Sequence, residues 1–429
     1  MLRFSKFGCR RLSAVTMNTV GQRFRPIYRK PTLSFYGRIA CSEQIISLLG
    51  TRQSQLYYVV VEKLNKGADI PEKLDISANS ISSPQKNVDQ HRCIEYSKTT
   101  PWKLVESEIR DMNQNIQLKL ASVNPIFEIA AYRYFNFEGK KIRPVIIALM
   151  SRALEHHKMD EGQAGSKTNG LMSKRQKELA EIVEMIHTAS LIHDDVVDEA
   201  TTRRNVQSIN SVFGNKVSIL CGDFIFAKVS IALAGLQDFD VLRHMSSVIA
   251  ELVEGEIMQL KAQKKHILDF EYYMQKTYKK TASLLENGCL SVAILGEHDS
   301  DLATRAGQYG KHIGLAFQLI DDVLDYVGDE NLLGKPVLKD LRMGFVTAPA
   351  LFAAEERPEL RDVLVERTLC SQDLKKIHDI VTKSQGIQKT KELARQHCKK
   401  AVAAISDLAE SPFKEGLIDL AQTILERER

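Results

Sequence analysis

From Trp102 onward, apolar residues recur at three- and four-residue spacing over long windows and proline becomes rare, the signature of helices that each bury one stripe. The pattern predicts helices over Lys103–Asn115, Pro125–Tyr134, Pro144–His157, Gln176–Asp198, Lys216–Leu236, Asp240–Lys264, Phe270–Leu295 and Asp299–Tyr326, with several more after Ala348. The stretch Lys158–Ser173, polar and carrying Gly162, Gly165 and Gly170, reads as an exposed loop. Strand alternation is nearly absent. Its best instance, Tyr57–Val61, falls in a mixed segment over residues 43–100 that holds Pro71 and Pro84 and little period. The expected fold class is therefore all-α, a single large helical bundle over residues 101–429 preceded by a lead-in or linker at 43–100.

Composition agrees with a large packed core: the 429 residues are 44% hydrophobic and 26% charged. Charge changes the picture more. The formal net charge is +5, yet residues 1–42 hold nine Lys and Arg and no Asp or Glu, which leaves −4 for the rest. A body with that balance gives no electrostatic reason to bind nucleic acid. An Arg-rich, acid-free start with scattered Ser and Thr and no continuous apolar core predicts a mitochondrial transit peptide over residues 1–42, against the blander reading of a basic tail. The seven cysteines lie far apart with no C-x-x-C pair, which argues against a zinc site or disulfide framework. Val217–Leu236, the most apolar long window, is broken by Asp223 and Lys228 and is a poor membrane span, so a soluble or peripheral protein is expected.

The chemistry concentrates in two acidic triplets. In "DDVVD", helical spacing puts Asp194 and Asp198 on one face with Asp195 alongside, and His187 and Ser190 lie behind them on the same stripe. The pattern returns 127 residues later in "FQLIDDVLDY" as Asp321, Asp322 and Asp325, with Gln318 one turn earlier. One such triplet is usually a solvated acidic face. Two embedded in apolar helices repel themselves unless cations occupy them, and oxygen-only ligands on rigid helices suit Mg²⁺ bridging to phosphate. Cations flank the triplets: Lys140, Lys141 and Arg143 in "EGKKIRP", Arg203 and Arg204, Lys280 with Thr281, and Lys335 in "LLGKP". Singly each is more often a surface charge; together they describe a cavity for two diphosphates, one held through metal and one through direct contacts.

These motifs, in this order and with "MIHTASLIHDD" and "KTASL" between them, resemble the trans-polyprenyl diphosphate synthases over about residues 98–429, most of all the long-chain mitochondrial members that make the ubiquinone side chain. The resemblance implies the isoprenoid synthase fold, a helical bundle around a central cavity. It implies that Lys140, Arg143 and His187, assisted by Arg204, hold isopentenyl diphosphate, and that Arg203, Lys280, Thr281, Gln318 and Lys335 contact the allylic diphosphate, farnesyl or geranylgeranyl. It also implies that Asp194 and Asp198, supported by Asp195, and Asp321 and Asp325, beside Asp322, form the catalytic Mg²⁺ clusters. Glu138 departs from the Gly or Lys usual there, a difference that leaves the matched Lys140 and Arg143 in place in the motif.

The implied reaction is head-to-tail prenyl transfer by metal-assisted ionisation, attack of the isopentenyl double bond and proton loss. Product length has a handle one turn before Asp194, where short-chain members carry an aromatic floor: Ala189 and Ser190 are small here, and Ile186 is the next residue to line the passage, about 5.4 Å deeper. A long product is expected. A shorter-chain geranylgeranyl synthase and a non-catalytic subunit are the alternatives, the latter disfavoured by intact aspartates in both motifs. The resemblance further implies a hetero-oligomer with a second, degenerate synthase subunit; together with the expected transit peptide it implies the mitochondrial matrix, and whether the protein attaches peripherally at the inner membrane stays open. No G-x-S-x-G, Walker A or strand-linked G-x-G-x-x-G occurs, so hydrolase, kinase and dehydrogenase readings lack their signatures.

Overall fold

A computed structural model describes residues 101–121, 127, 134–135, 141–160, 170–203, 206–327, 338–366 and 370–427. All of them lie in a compact unit that begins at Cys93. The expected transit peptide at 1–42, the lead-in at 43–100 with its possible strand Tyr57–Val61, and most of the helix expected at Pro125–Tyr134 fall outside the described residues.

The all-α expectation holds. In chain order the helices are α1 (Pro101–Leu104), α2 (Glu106–Leu120), α3 (Ile142–Asp160), α4 (Lys174–Val197), α5 (Ile209–Phe213), α6 (Asn215–Gly235), α7 (Phe239–Leu260), α8 (Lys264–Ile267) and α9 (Phe270–Thr277). After a π-helical turn over Tyr278–Ala282 come α10 (Ser283–Leu295), α11 (Ser300–Val327), α12 (Lys339–Arg342), α13 (Ala348–Glu356), α14 (Glu359–Val365), α15 (Ser371–Lys383), α16 (Gly386–Ala404) and α17 (Pro412–Leu425). Two departures from the expected pattern bear on function. The helix expected over Phe270–Leu295 is interrupted by the π-turn, an insertion that periodicity over so long a window does not register. A two-residue antiparallel ladder, β1 (Thr202–Arg203) against β2 (Val206–Gln207), follows the first acidic motif.

Helix α4 is the bundle's central support. A capping box fixes its start: Ser173 Oγ accepts the Gln176 N–H at 3.2 Å and Gln176 Oε1 accepts the Ser173 N–H at 2.8 Å. Leu179, Ile182, Val183 and Ile186 then bury one face completely. The helix ends at Val197 with Asp198 as its C-cap, because Glu199 turns left-handed at φ 51°. Asn210 closes the exposed carbonyl end by donating Nδ2 to the Asp195 and Ala200 carbonyls, each at 3.0 Å.

Helices α10 and α11 form a tight hairpin whose crossing needs glycine. A Cβ on Gly310 would collide with the Leu285 backbone carbonyl, and one on Gly314 would lie 2.6 Å from Ala282 Cα. That approach brings the face of α11 carrying Gln318 and Asp322 against the π-turn, where Thr281 Oγ1 donates to Gln318 Oε1 at 2.9 Å. A main core surrounds α3, α4, α10 and α11, and a smaller one beside the end of α11 gathers Tyr326, Leu341, Ala350, Leu360 and Ile377. Helix α6 is long and apolar enough by length and composition to cross a membrane, but it packs Cys221, Ile225, Val229 and Leu233 into the bundle while Leu220 and Ile231 stay exposed.

Candidate active site

Five of the residues singled out from the sequence, Asp198, Lys280, Thr281, Gln318 and Asp322, line one cleft of about 180 Å³. They arrive from three elements: the end of α4, the π-turn and α11. The π-turn begins with Tyr278, so Lys280 and Thr281 leave the helix on its widened turn and point toward the two aspartate-bearing helices. Lys280 forms an ion pair with Glu256 of α7.

The acidic residues divide by role. Asp198 lines the cleft with Lys339 Nζ 4.0 Å away, and Asp194, one turn earlier on α4, feels the charges of Lys280, Glu256 and Asp198. Burial pushes the Asp194 carboxyl up to about 7; the nearby Glu256 and Asp198 charges push the same way and Lys280 opposes them. Burial likewise raises Asp198, against Lys339 and Lys280. Asp195, expected alongside them, turns inward. It is buried at 1% exposure and accepts Tyr134 Oη together with Arg203 Nε at 2.9 Å and Nη2 at 2.7 Å. Arg203, expected to contact the allylic diphosphate, is thus held by Asp195. The reason is the hairpin β1–β2, which folds Arg203 back toward the helix it follows.

On α11, Asp322 is also buried, accepting Tyr273 Oη at 2.5 Å and Gln318 Nε2 at 2.9 Å; burial and then Asp340 raise it to about 7, with the two hydrogen bonds opposing. Asp325 accepts the backbone N–H groups of Lys339 at 3.0 Å and Asp340 at 3.3 Å, yet burial and Asp340 still push it up to about 6. Asp321 is half exposed, 3.5 Å from Arg427 Nη2, and the Arg427 guanidinium lies 4.3 Å over the Phe317 ring.

The residues expected to hold isopentenyl diphosphate meet in part. Arg143, in the first turn of α3, places Nη1 3.0 Å from His187 Nε2 of α4. A guanidinium can only donate, so that imidazole nitrogen accepts and His187 is neutral. Lys141 turns away from this pair: at φ 42° its ammonium reaches Asn113 and the Phe135 carbonyl, the latter at 3.1 Å. Lys140, Arg204 and Lys335 lie outside the described residues. Ala189 and Ile186 are fully buried, and Ser190 Oγ donates to the His187 carbonyl at 2.9 Å.

The cleft also contains residues that spacing did not single out: Gln259, Tyr273, Lys276, Lys339 and Asp340. Lys276 had a faint signal, lying one turn before Lys280 in "QKTYKKTA". Asp340 and Glu256 had none, since neither belongs to a repeated acidic pattern. Asp340 reaches the site because Leu338 adopts a left-handed conformation at φ 58° ahead of α12.

The donor set fits a hard divalent cation. Among the described residues no three His, Cys, Asp or Glu side chains converge as a ready-made cage. The acids stand instead as spaced pairs whose charged forms burial disfavours, an arrangement for ions that keep water and take their remaining oxygens from a phosphate.

The comparisons agree with this geometry. The family model for polyprenyl synthetase matches residues 124–381. The chain is 41% identical over 337 residues to the mitochondrial solanesyl-diphosphate synthase 1 of Oryza sativa subsp. japonica, covering 76% of this chain and 78% of that one. It is 40% identical over 341 residues to the decaprenyl-diphosphate synthase of Dictyostelium discoideum, covering 76% and 71%. Its fold is similar to that of a polyprenyl synthase from Caulobacter crescentus solved with calcium and isoprenyl diphosphate, with a TM-score of 0.68, 28% identity and coverage of 77% and 97%. With both acidic motifs, the Arg143–His187 pair and the lysine-bearing π-turn inside or beside the matched span, the chain belongs to the polyprenyl synthetase family.

Proposed function

We propose that this prenyltransferase is a mitochondrial long-chain trans-polyprenyl diphosphate synthase that extends an allylic diphosphate with successive isopentenyl diphosphates to make the ubiquinone side chain. The observation that carries the reading is the convergence of Asp198, Asp322, Lys280, Thr281 and Gln318 on one cleft, with the Arg143–His187 pair on helices that enter the same bundle.

In this reading Asp194 and Asp198 on one side, and Asp321 and Asp325 on the other, hold Mg²⁺. Bound there, Mg²⁺ supplies electrostatic stabilisation to the negative charge that develops on the departing diphosphate. The protein's own contribution is placement. Lys280 and Thr281 bind the allylic diphosphate, with Gln318 oriented by its bonds to Thr281 and Asp322. Asp195 acts by fixing Arg203 at the mouth of the same helix end. Arg143 and neutral His187, assisted by Lys140 and Arg204, hold the isopentenyl diphosphate so that its double bond faces the ionising carbon. The surrounding apolar helices keep water from the allylic cation, and the proton leaves to the released diphosphate. Ala189, Ser190 and Ile186 leave room for a growing chain.

A second synthase subunit is part of the proposal. Phe239 at 88% exposure, with Val253 and Ile257 along the same face of α7, and Leu220 and Ile231 on α6 are exposed apolar side chains of the kind that subunit contacts cover. Delivery of so apolar a product favours peripheral attachment at the inner membrane, on the matrix side.

The test is incubation of the purified protein, alone and with a candidate partner subunit, with Mg²⁺, farnesyl diphosphate and labelled isopentenyl diphosphate, followed by sizing of the products. Long products are expected. A twenty-carbon product points to a geranylgeranyl synthase, and no incorporation under either condition rejects the synthase reading.

A further inference from the structure

Three lysines line the cleft, and two of them are already engaged: Lys280 with Glu256 and Lys339 with Asp198 at 4.0 Å. The third, Lys276, makes no hydrogen bond or ion pair among the described residues. Its ammonium lies 5.2 Å from the centre of the Tyr273 ring, whose hydroxyl is committed to Asp322. It feels the charges of Asp322, Asp340 and Glu256 without contacting them, and burial lowers its affinity for a proton.

A partly buried ammonium whose donors meet no acceptor among the described residues is expensive to maintain. Its backbone is held in place by the Asp269 cap of α9, where Oδ1 accepts the N–H groups of Glu271 at 3.0 Å and Tyr272 at 3.2 Å. One turn later on the same face stands Lys280. The two cations therefore form a column along α9 and the π-turn, directed into the cleft that also contains Thr281 and Gln318. Arg143 and His187 do not line it.

We propose that Lys276 is a further binding residue for the allylic diphosphate, its ammonium donating to a phosphate oxygen beside the one held by Lys280. This rests on the synthase reading, and it assigns the contact to the allylic substrate and not to isopentenyl diphosphate. A charge-assisted hydrogen bond of this kind corresponds to about tenfold or more in affinity.

The experiment is calorimetric titration of the full chain with inorganic pyrophosphate in the presence of Mg²⁺, and separately with isopentenyl diphosphate, for wild type, Lys276→Met, Lys276→Gln and Lys276→Arg, with melting temperatures recorded for each. Lys276→Met and Lys276→Gln are expected to bind pyrophosphate about tenfold more weakly, to keep the wild-type affinity for isopentenyl diphosphate and to melt as wild type does, and Lys276→Arg is expected to recover most of the loss. Undiminished pyrophosphate binding in Lys276→Gln overturns the proposal, as does a parallel loss of both ligands with a lowered melting temperature in all three variants. Failure of the wild type itself to bind pyrophosphate with Mg²⁺ overturns the synthase reading instead.

Discussion

Arg203 grips Asp195 through Nε and Nη2, at 2.9 and 2.7 Å, from a two-residue strand separated from the end of α4 by only four residues. The middle carboxylate of the first acidic motif is thereby taken up by protein partners, while Asp198 lines the cleft. Tyr134 joins the same carboxylate, so one buried side chain ties together α4, the hairpin and a segment that precedes α3.

Asp195→Ala strands a largely buried guanidinium without its counter-charge and is expected to cost about 3 kcal/mol, read from the urea midpoint. Asp194→Asn should leave that midpoint equal or higher, because it removes a charge that burial disfavours, while lowering kcat by roughly 10²–10³. Loss of activity in Asp195→Ala at an unchanged midpoint would show Asp195 to be a ligand and not an anchor.

The raised carboxylates set a pH dependence. With Asp194 and Asp322 at about 7 and Asp325 at about 6, the folded protein binds more protons than the unfolded chain from about pH 4 upward to those values. Each group's destabilising contribution is absent below that window, grows through it and is complete above it. The melting-temperature difference between Asp194→Asn and wild type should therefore be near zero at about pH 4 and widen to about pH 7. At higher pH, Mg²⁺ with pyrophosphate should raise the wild-type melting temperature and largely fail to raise the variant's. A difference that does not vary with pH contradicts the assignment.

Gly310→Ala tests the α10–α11 crossing. The added Cβ meets the Leu285 carbonyl, which is backbone and cannot rotate away, so the helices must separate at a cost of about 3 kcal/mol. Because that crossing seats Gln318 against Thr281, KM for the allylic substrate should rise along with the loss of stability. A neutral Gly310→Ala would mean that the hairpin is looser than described.

Ala189→Phe should shorten the product, measured by chromatography of the dephosphorylated chains. Ala189 is fully buried, so the larger side chain must either occupy the proposed passage or overpack the core, the latter costing about 1–3 kcal/mol. Unchanged product length in a folded variant removes Ala189 from the passage.

Periodicity alone determined the fold class and most helix positions, because a stripe of apolar residues is a local consequence of burying one face. Both acidic motifs were legible for a similar reason: carboxylates three and four apart on an apolar helix are costly, and the cost can be read without knowing the neighbours. What each carboxylate does was not legible. Asp195 and Asp322 look like their partners in sequence, but Tyr134 and Arg203 claim one while Tyr273 and Gln318 claim the other; Tyr134 and Tyr273 come from elements distant in the chain and Arg203 from a hairpin too short to leave a strand signal, while Gln318, one turn before Asp322 on α11, was the one partner in view. Glu256 and Asp340 were likewise hidden, since a lone charge has no period, and Lys276 left only a faint signal one turn before Lys280. The π-turn, the left-handed Leu338 and the close passage at Gly310 and Gly314 decide which lone charges reach the cleft. The hydrophobic pattern thus specified the helices, and only their packing decided which side chains meet, because contact depends on crossing geometry and backbone turns that no single helix encodes.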